Sequence, residues 1–92
     1  MGFYEKENNG FSELYRYVLS HRDKTYTFMY NNSKIIASFD CMYESDNGLE
    51  EDEDGYDEYH AIGFVNLETD ELFEVNYSNM PLSVICESDK VI

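Results

Sequence analysis

Thr25-Tyr-Thr-Phe-Met-Tyr-Asn-Asn-Ser-Lys-Ile-Ile-Ala-Ser-Phe-Asp-Cys-Met-Tyr43 carries the strongest periodic signal in the chain. Tyr26, Phe28 and Tyr30 alternate with Thr25, Thr27 and Met29, the period of two that a half-buried strand requires. Asn31-Asn32-Ser33 is turn chemistry. A second alternating run follows, with Ile35, Ala37, Phe39, Cys41 and Tyr43 on one face and Ile36, Ser38, Asp40 and Met42 on the other. A strand this long in a small domain is expected to bend and serve two halves of a curved sheet.

Working toward the N-terminus, the period changes. Phe11, Leu14, Tyr15 and Val18 recur at i, i+3, i+4 and i+7, the apolar stripe of an amphipathic helix, placed at 10–22. Such a helix is only about three turns long and needs a sheet to lie on. Residues 1–9 are polar and read as flexible.

Toward the C-terminus, Glu44–Glu58 is an acidic stretch punctuated by Gly48 and Gly55, and its composition reads as a loop. Strands resume over 59–87: Tyr59–Asn66, Leu72–Tyr77 after a turn at Glu68-Thr-Asp70, and Leu82–Cys86 after Asn79-Met-Pro81. The expected class is α+β and mostly β, one domain over 1–92, an N-terminal helix followed by a five-stranded antiparallel bent sheet or small barrel. Closure into a barrel would remove exposed edges. The alternative is a helix packed on one face of an open antiparallel sheet.

Composition fits a small ring-filled core. Nine Tyr and six Phe stand in 92 residues, and each buried ring removes about 150–250 Å² from water. Charge narrows the partners. Net charge is −14, and it is polarised: residues 1–34 hold four acids and five bases, whereas 35–89 hold sixteen acids and no Lys or Arg. Such a field repels nucleic acid and anionic membrane and attracts basic proteins. Met1–Gly10 has no signal-peptide character and no apolar run approaches a membrane span, so a cytoplasmic location is expected. Cys41 and Cys86 lack redox or zinc spacing and read as reduced thiols.

The stretch Tyr26–Asp40 resembles the first two strands of the Sm-like family, and Leu72–Tyr77 with Leu82–Cys86 is similar to its last two. That resemblance implies an Sm-like or SH3-like barrel and a structural subunit that forms a ring or dimer by strand addition; the chain as a whole is expected to be a monomer or small homo-oligomer. Asn32-Ser33 stands where the family has a turn glycine, and Val75-Asn-Tyr-Ser-Asn79 holds neither Lys nor His. The family's RNA contacts therefore do not carry over. The chain also resembles small acidic proteins of Gram-positive bacteria and their phages, a likeness that implies no activity.

No catalytic motif is present, and the chain is read as non-enzymatic and without a cofactor. His21 and His60 stand apart from any nucleophile, although His60 beside the acidic stretch is a candidate pH-sensitive group. Glu50-Glu-Asp-Glu-Asp-Gly55 imitates the opening of a calcium loop, but the twelfth position is Ala61, where a bidentate Glu is required. Asp52, Asp54 and Glu58 remain weak cation candidates. The favoured function is an acidic protein-interaction module that binds a basic protein surface, in the manner of a phage-type inhibitor or nucleic-acid mimic. Its contact residues are expected to be Glu50, Glu51, Asp52, Glu53, Asp54, Tyr56, Asp57, Glu58 and Tyr59, with acids steering and rings anchoring.

Overall fold

The computed structural model describes residues 3–92; Met1 and Gly2, part of the segment read as flexible, lie outside the described residues. After a 3-10 turn at Glu5–Glu7, the elements are helix α1 (Phe11–Leu19) and strands β1 (Thr25–Met29), β2 (Lys34–Asp46), β3 (Glu58–Asn66), β4 (Leu72–Val75), β5 (Ser83–Cys86) and β6 (Asp89–Lys90). All pairings are antiparallel, in the order β4-β3-β2-β1-β5-β6.

The sheet is open. β4 and β6 form its two edges and do not pair with each other, so the barrel expectation gives way to the alternative of a helix lying on one sheet face. The strand count is also six rather than five, because the chain turns back after Glu87 (φ 56°) and Asp89–Lys90 pairs with Cys86 and Ile85.

Helix α1 forms where the apolar stripe predicts. Phe11, Leu14, Tyr15 and Val18 are all buried against the sheet. It stops at Leu19, short of the expected 22. The N–H groups of Ser20 and His21 donate to the carbonyls of Tyr17 and Val18, closing the last turn tightly. The Tyr26 hydroxyl then donates to the His21 carbonyl (2.8 Å), tying the helix exit to β1.

Beneath the helix, Tyr26, Phe28 and Phe64 are fully buried and Phe73 is half-buried. Phe28 and Phe64 meet edge-on with centroids 4.7 Å apart, and Tyr26 meets Phe64 at 5.7 Å. Edge-to-face pairs of this kind add about 0.5–1.5 kcal/mol each beyond the area they bury.

Strand β2 bends, as its length predicts, but its faces do not run through unchanged. Phe39 pairs with Phe64, yet the next pair is Cys41 with Gly63, so one residue is inserted between them. An inserted residue inverts the parity of everything after it. Met42 therefore turns toward the core, while Cys41 and Tyr43 pass to the opposite face, the reverse of the simple alternation. The same inversion places Glu44 opposite His60.

Within residues 3–9, Tyr4, Glu5, Asn8 and Asn9 are exposed, but the segment is attached at two points. Phe3 stacks edge-on to Tyr15 (5.2 Å) and Glu7 is fully buried. A buried carboxylate inside a strongly acidic chain demands partners, and these define the candidate site.

Candidate functional site

Strands β2 and β3 stay paired to Asp46 and Glu58, so the acidic loop proper is 47–57 rather than 44–58. It is closed by local hydrogen bonds. The Asn47 N–H donates to the Asp57 carbonyl (3.0 Å), and Asn47 Nδ2 donates to the Gly55 carbonyl (2.7 Å). Asp46 Oδ1 accepts from the Gly48 N–H (2.8 Å), an Asx turn that starts the reversal. Gly48 and Gly55 sit at φ 85° and 84°, where a β-carbon would be strained. Glu53 N–H donates to Glu50 and Tyr56 N–H to Glu53, completing a structured tip.

Glu50, Glu51, Asp52, Glu53 and Asp54 are all exposed at that tip. Among the described residues, no basic side chain lies within ion-pair distance of any of them. The remaining expected contact residues are placed differently. Asp57 is half-buried and bound by Lys6 Nζ and by the Tyr77 hydroxyl. Glu58 accepts from the hydroxyls of Tyr4 (2.8 Å) and Tyr56 (3.0 Å), and its backbone carbonyl accepts from Lys6 Nζ (2.7 Å). Tyr59 is half-buried, packs on Tyr77 with centroids 6.1 Å apart and donates to the Asp46 carbonyl. These residues hold the base of the hairpin, while Glu50–Asp54 face outward. Asp52, Asp54 and Glu58 are not gathered into a cation site: no group of three or more His, Cys, Asp or Glu among the described residues is arranged to hold a metal.

The clamp at the hairpin base comes from segments far away in sequence. Lys6 Nζ lies between the rings of Tyr4 (5.1 Å) and Tyr77 (5.0 Å), two cation–π contacts around its salt bridge. Tyr77 is held by the Asn76–Asn79 turn, where Asn76 N–H donates to Asn79 Oδ1 and Asn9 Nδ2 donates to the Tyr77 carbonyl. The protonation states follow. The Lys6 hydrogen bond, assisted by that from Tyr77, holds Asp57 below the usual carboxylate range. The Glu58 carboxylate, as hydrogen-bond acceptor, pushes Tyr4 up and Tyr56 up to about 12.

Behind the clamp, Glu7 is the anchor. Its Oε2 accepts from the His60 backbone N–H (2.7 Å), and its Oε1 accepts from the Tyr4 N–H (2.8 Å) and lies 2.8 Å from His60 Nδ1. His60 Nε2 lies 3.5 Å from Glu44 Oε1 on the solvent side. The imidazole is enclosed by Phe3, Tyr4 and Tyr15. No nucleophile adjoins it, and it serves to fix the N-terminal segment to β3. His21 is stacked on Tyr17 at the helix end (3.8 Å) and contacts no carboxylate within ion-pair distance.

Sequence reasoning missed Tyr4, Lys6, Glu7 and Tyr77. Only the aromatic–basic run Phe3-Tyr-Glu-Lys6 in an otherwise acidic chain hinted at them.

A family model described as cognate immunity protein YxxD matches residues 6–80. The chain belongs to that family. The matched span runs from Lys6 and Glu7 through α1 and β1–β4 and includes the whole acidic hairpin. No curated protein and no solved structure gives a match. The Sm-like resemblance gains no support, while the likeness to small bacterial proteins agrees with the family. Among the described residues no helix is long and apolar enough to cross a membrane.

Proposed function

We propose that this immunity protein neutralises a cognate toxin by binding it directly, with the exposed acids Glu50–Asp54 as the leading contact. The inhibition is by occupancy and uses no catalysis or cofactor. The toxin surface it covers is basic, of the kind that otherwise holds nucleic acid.

The observation that carries this reading is a row of exposed acids without internal counter-ions among the described residues, mounted on a hairpin whose base is clamped by Tyr4, Lys6 and Tyr77. Clamping matters because a preorganised loop loses less entropy on binding than a free one. A dense negative tip also speeds encounter with a basic surface, and that steering weakens with salt. Family membership supplies the class of partner, and charge supplies its chemistry.

The direct test is co-expression with the cognate toxin, scored both by growth and by size-exclusion chromatography of the purified pair. Growth protection together with a stable complex supports the reading. Protection without a complex overturns it, since the toxin would then be opposed by some route other than occupancy.

A further inference from the structure

The face of the sheet turned away from α1 carries a second feature, unrelated to the hairpin tip. Cys41, Gly63 and Glu74 lie side by side across β2, β3 and β4. Gly63 is buried beneath its neighbours: a β-carbon there would stand 3.1 Å from Cys41 Sγ and 3.5 Å from the Tyr43 ring, so only glycine lets those side chains close over β3. Beside this row lies a groove of about 330 Å³, lined by Asp40, Cys41, Tyr43, Gly63, Leu72, Phe73 and Glu74. Leu72 is 68% exposed and Tyr43 38%, so large apolar surface lies open beside it.

The groove holds two carboxylates and no cation. Glu74 is oriented by neutral donors only, the Tyr43 hydroxyl on Oε1 (2.7 Å) and Asn76 Nδ2 on Oε2 (2.6 Å). Interaction with the Asp40 carboxylate pushes the Cys41 thiol up, so the thiol adds no negative charge to the groove. Among the described residues, no Lys, Arg or His is within ion-pair distance of Asp40 or Glu74. One carboxylate held in place, Glu74, and a second, exposed one, Asp40, beside an exposed aromatic ring and an exposed leucine match one side chain best. A guanidinium offers a planar fork to carboxylates, stacks on a ring, and is attached to an apolar stem. A lysine ammonium would meet the charge but not the planar surface.

We propose that this groove receives an arginine side chain of the toxin, as a specificity contact separate from the steering by Glu50–Asp54. The proposal rests on the toxin-binding reading for its partner, but the chemistry of the groove can be tested alone. The ¹⁵N-labelled full chain is titrated with N-acetyl-arginine amide and, separately, with its neutral isostere N-acetyl-citrulline amide, at physiological ionic strength. Saturable shifts at Cys41, Gly63 and Glu74 with the arginine compound alone are expected. The Asp40→Asn/Glu74→Gln variant, which keeps the shape of both side chains, should bind about tenfold more weakly or worse, the factor expected when a charge-assisted hydrogen bond is lost.

Equal shifts with the citrulline compound, shifts confined to Glu50–Asp54, or an unchanged response in the variant would each overturn the proposal. Capture of the cognate toxin by a chain whose groove ignores arginine overturns the groove and leaves toxin binding standing. An arginine response without toxin capture supports the groove and sinks the toxin reading.

Discussion

Replacing Glu7 by Ala tests how the hairpin is anchored. The wild-type carboxylate is fully buried and takes three contacts: the N–H groups of Tyr4 and His60, and His60 Nδ1. Among the described residues, every buried side-chain nitrogen and oxygen has a partner in the parent, so the truncation creates the deficit. Truncation strands the His60 ring nitrogen and backbone N–H in a pocket of three aromatic rings. A stranded buried donor costs about 1–3 kcal/mol. With the His60 N–H and ring nitrogen both losing their acceptor, the expected loss for Glu7→Ala is about 2–6 kcal/mol, a large share of the roughly 5–15 kcal/mol that holds a domain together. Glu7→Gln keeps the shape and one acceptor oxygen, and should lose less. Urea unfolding followed by far-ultraviolet circular dichroism reads both values, and amide exchange at the His60 end of β3 reads whether the hairpin base loosens with them. A loss below about 1 kcal/mol for Glu7→Ala would refute the reasoning, because two buried donors cannot be left without an acceptor so cheaply.

Two further outcomes follow from the clamp and a third from the packing over Gly63. Asp57 is more acidic folded than unfolded, so its contribution is present above about pH 4 and disappears as pH falls through its lowered folded value. Lys6→Met should accordingly cost about 1 kcal/mol or less at pH 7, the pair being half-exposed, and its deficit should shrink in acid; a deficit that stays constant from pH 6 to pH 2 would count against the pair. Tyr56 binds its proton more tightly folded, so its contribution is present below about pH 10 and is lost as pH rises toward about 12. Ultraviolet phenolate titration should show that late step, and Glu58→Gln should bring it earlier; an ordinary midpoint in the parent would contradict the Tyr56–Glu58 bond. Gly63→Ala should cost about 1–3 kcal/mol through crowding against Cys41, measured by thermal unfolding, and a neutral result would mean that β2 yields there easily.

The helix and β1 were legible because their signals are local. Phe11, Leu14, Tyr15 and Val18 repeat with the helical period, and Tyr26 and Phe28 with the strand period, and the same residues form the core. The open sheet was legible only as an alternative, since closure depends on whether distant edges meet. The bulge between Phe39 and Cys41 was not legible. Inserting one residue inverts the faces of Cys41, Met42 and Tyr43 without altering composition. The contacts of the N-terminal segment were not legible for a related reason: Glu7–His60 and Lys6–Asp57 are pairs more than fifty residues apart that leave no periodic trace. The acidic stretch was visible at once. Its division into an outward tip and a clamped base was not, because Asp57 and Glu58 look like their neighbours until Tyr4, Lys6 and Tyr77 are brought beside them.

The central claim is that Glu50–Asp54 lead the encounter with a basic toxin surface, and the most direct measurement is calorimetric titration of the cognate toxin over a range of salt. The parent should bind with affinity that falls steeply as salt rises. A variant with Glu50, Glu51, Glu53 and Asp54 all changed to Lys should show no binding. An unchanged affinity with an unchanged salt dependence in that variant would contradict the claim and move the interface away from the hairpin tip.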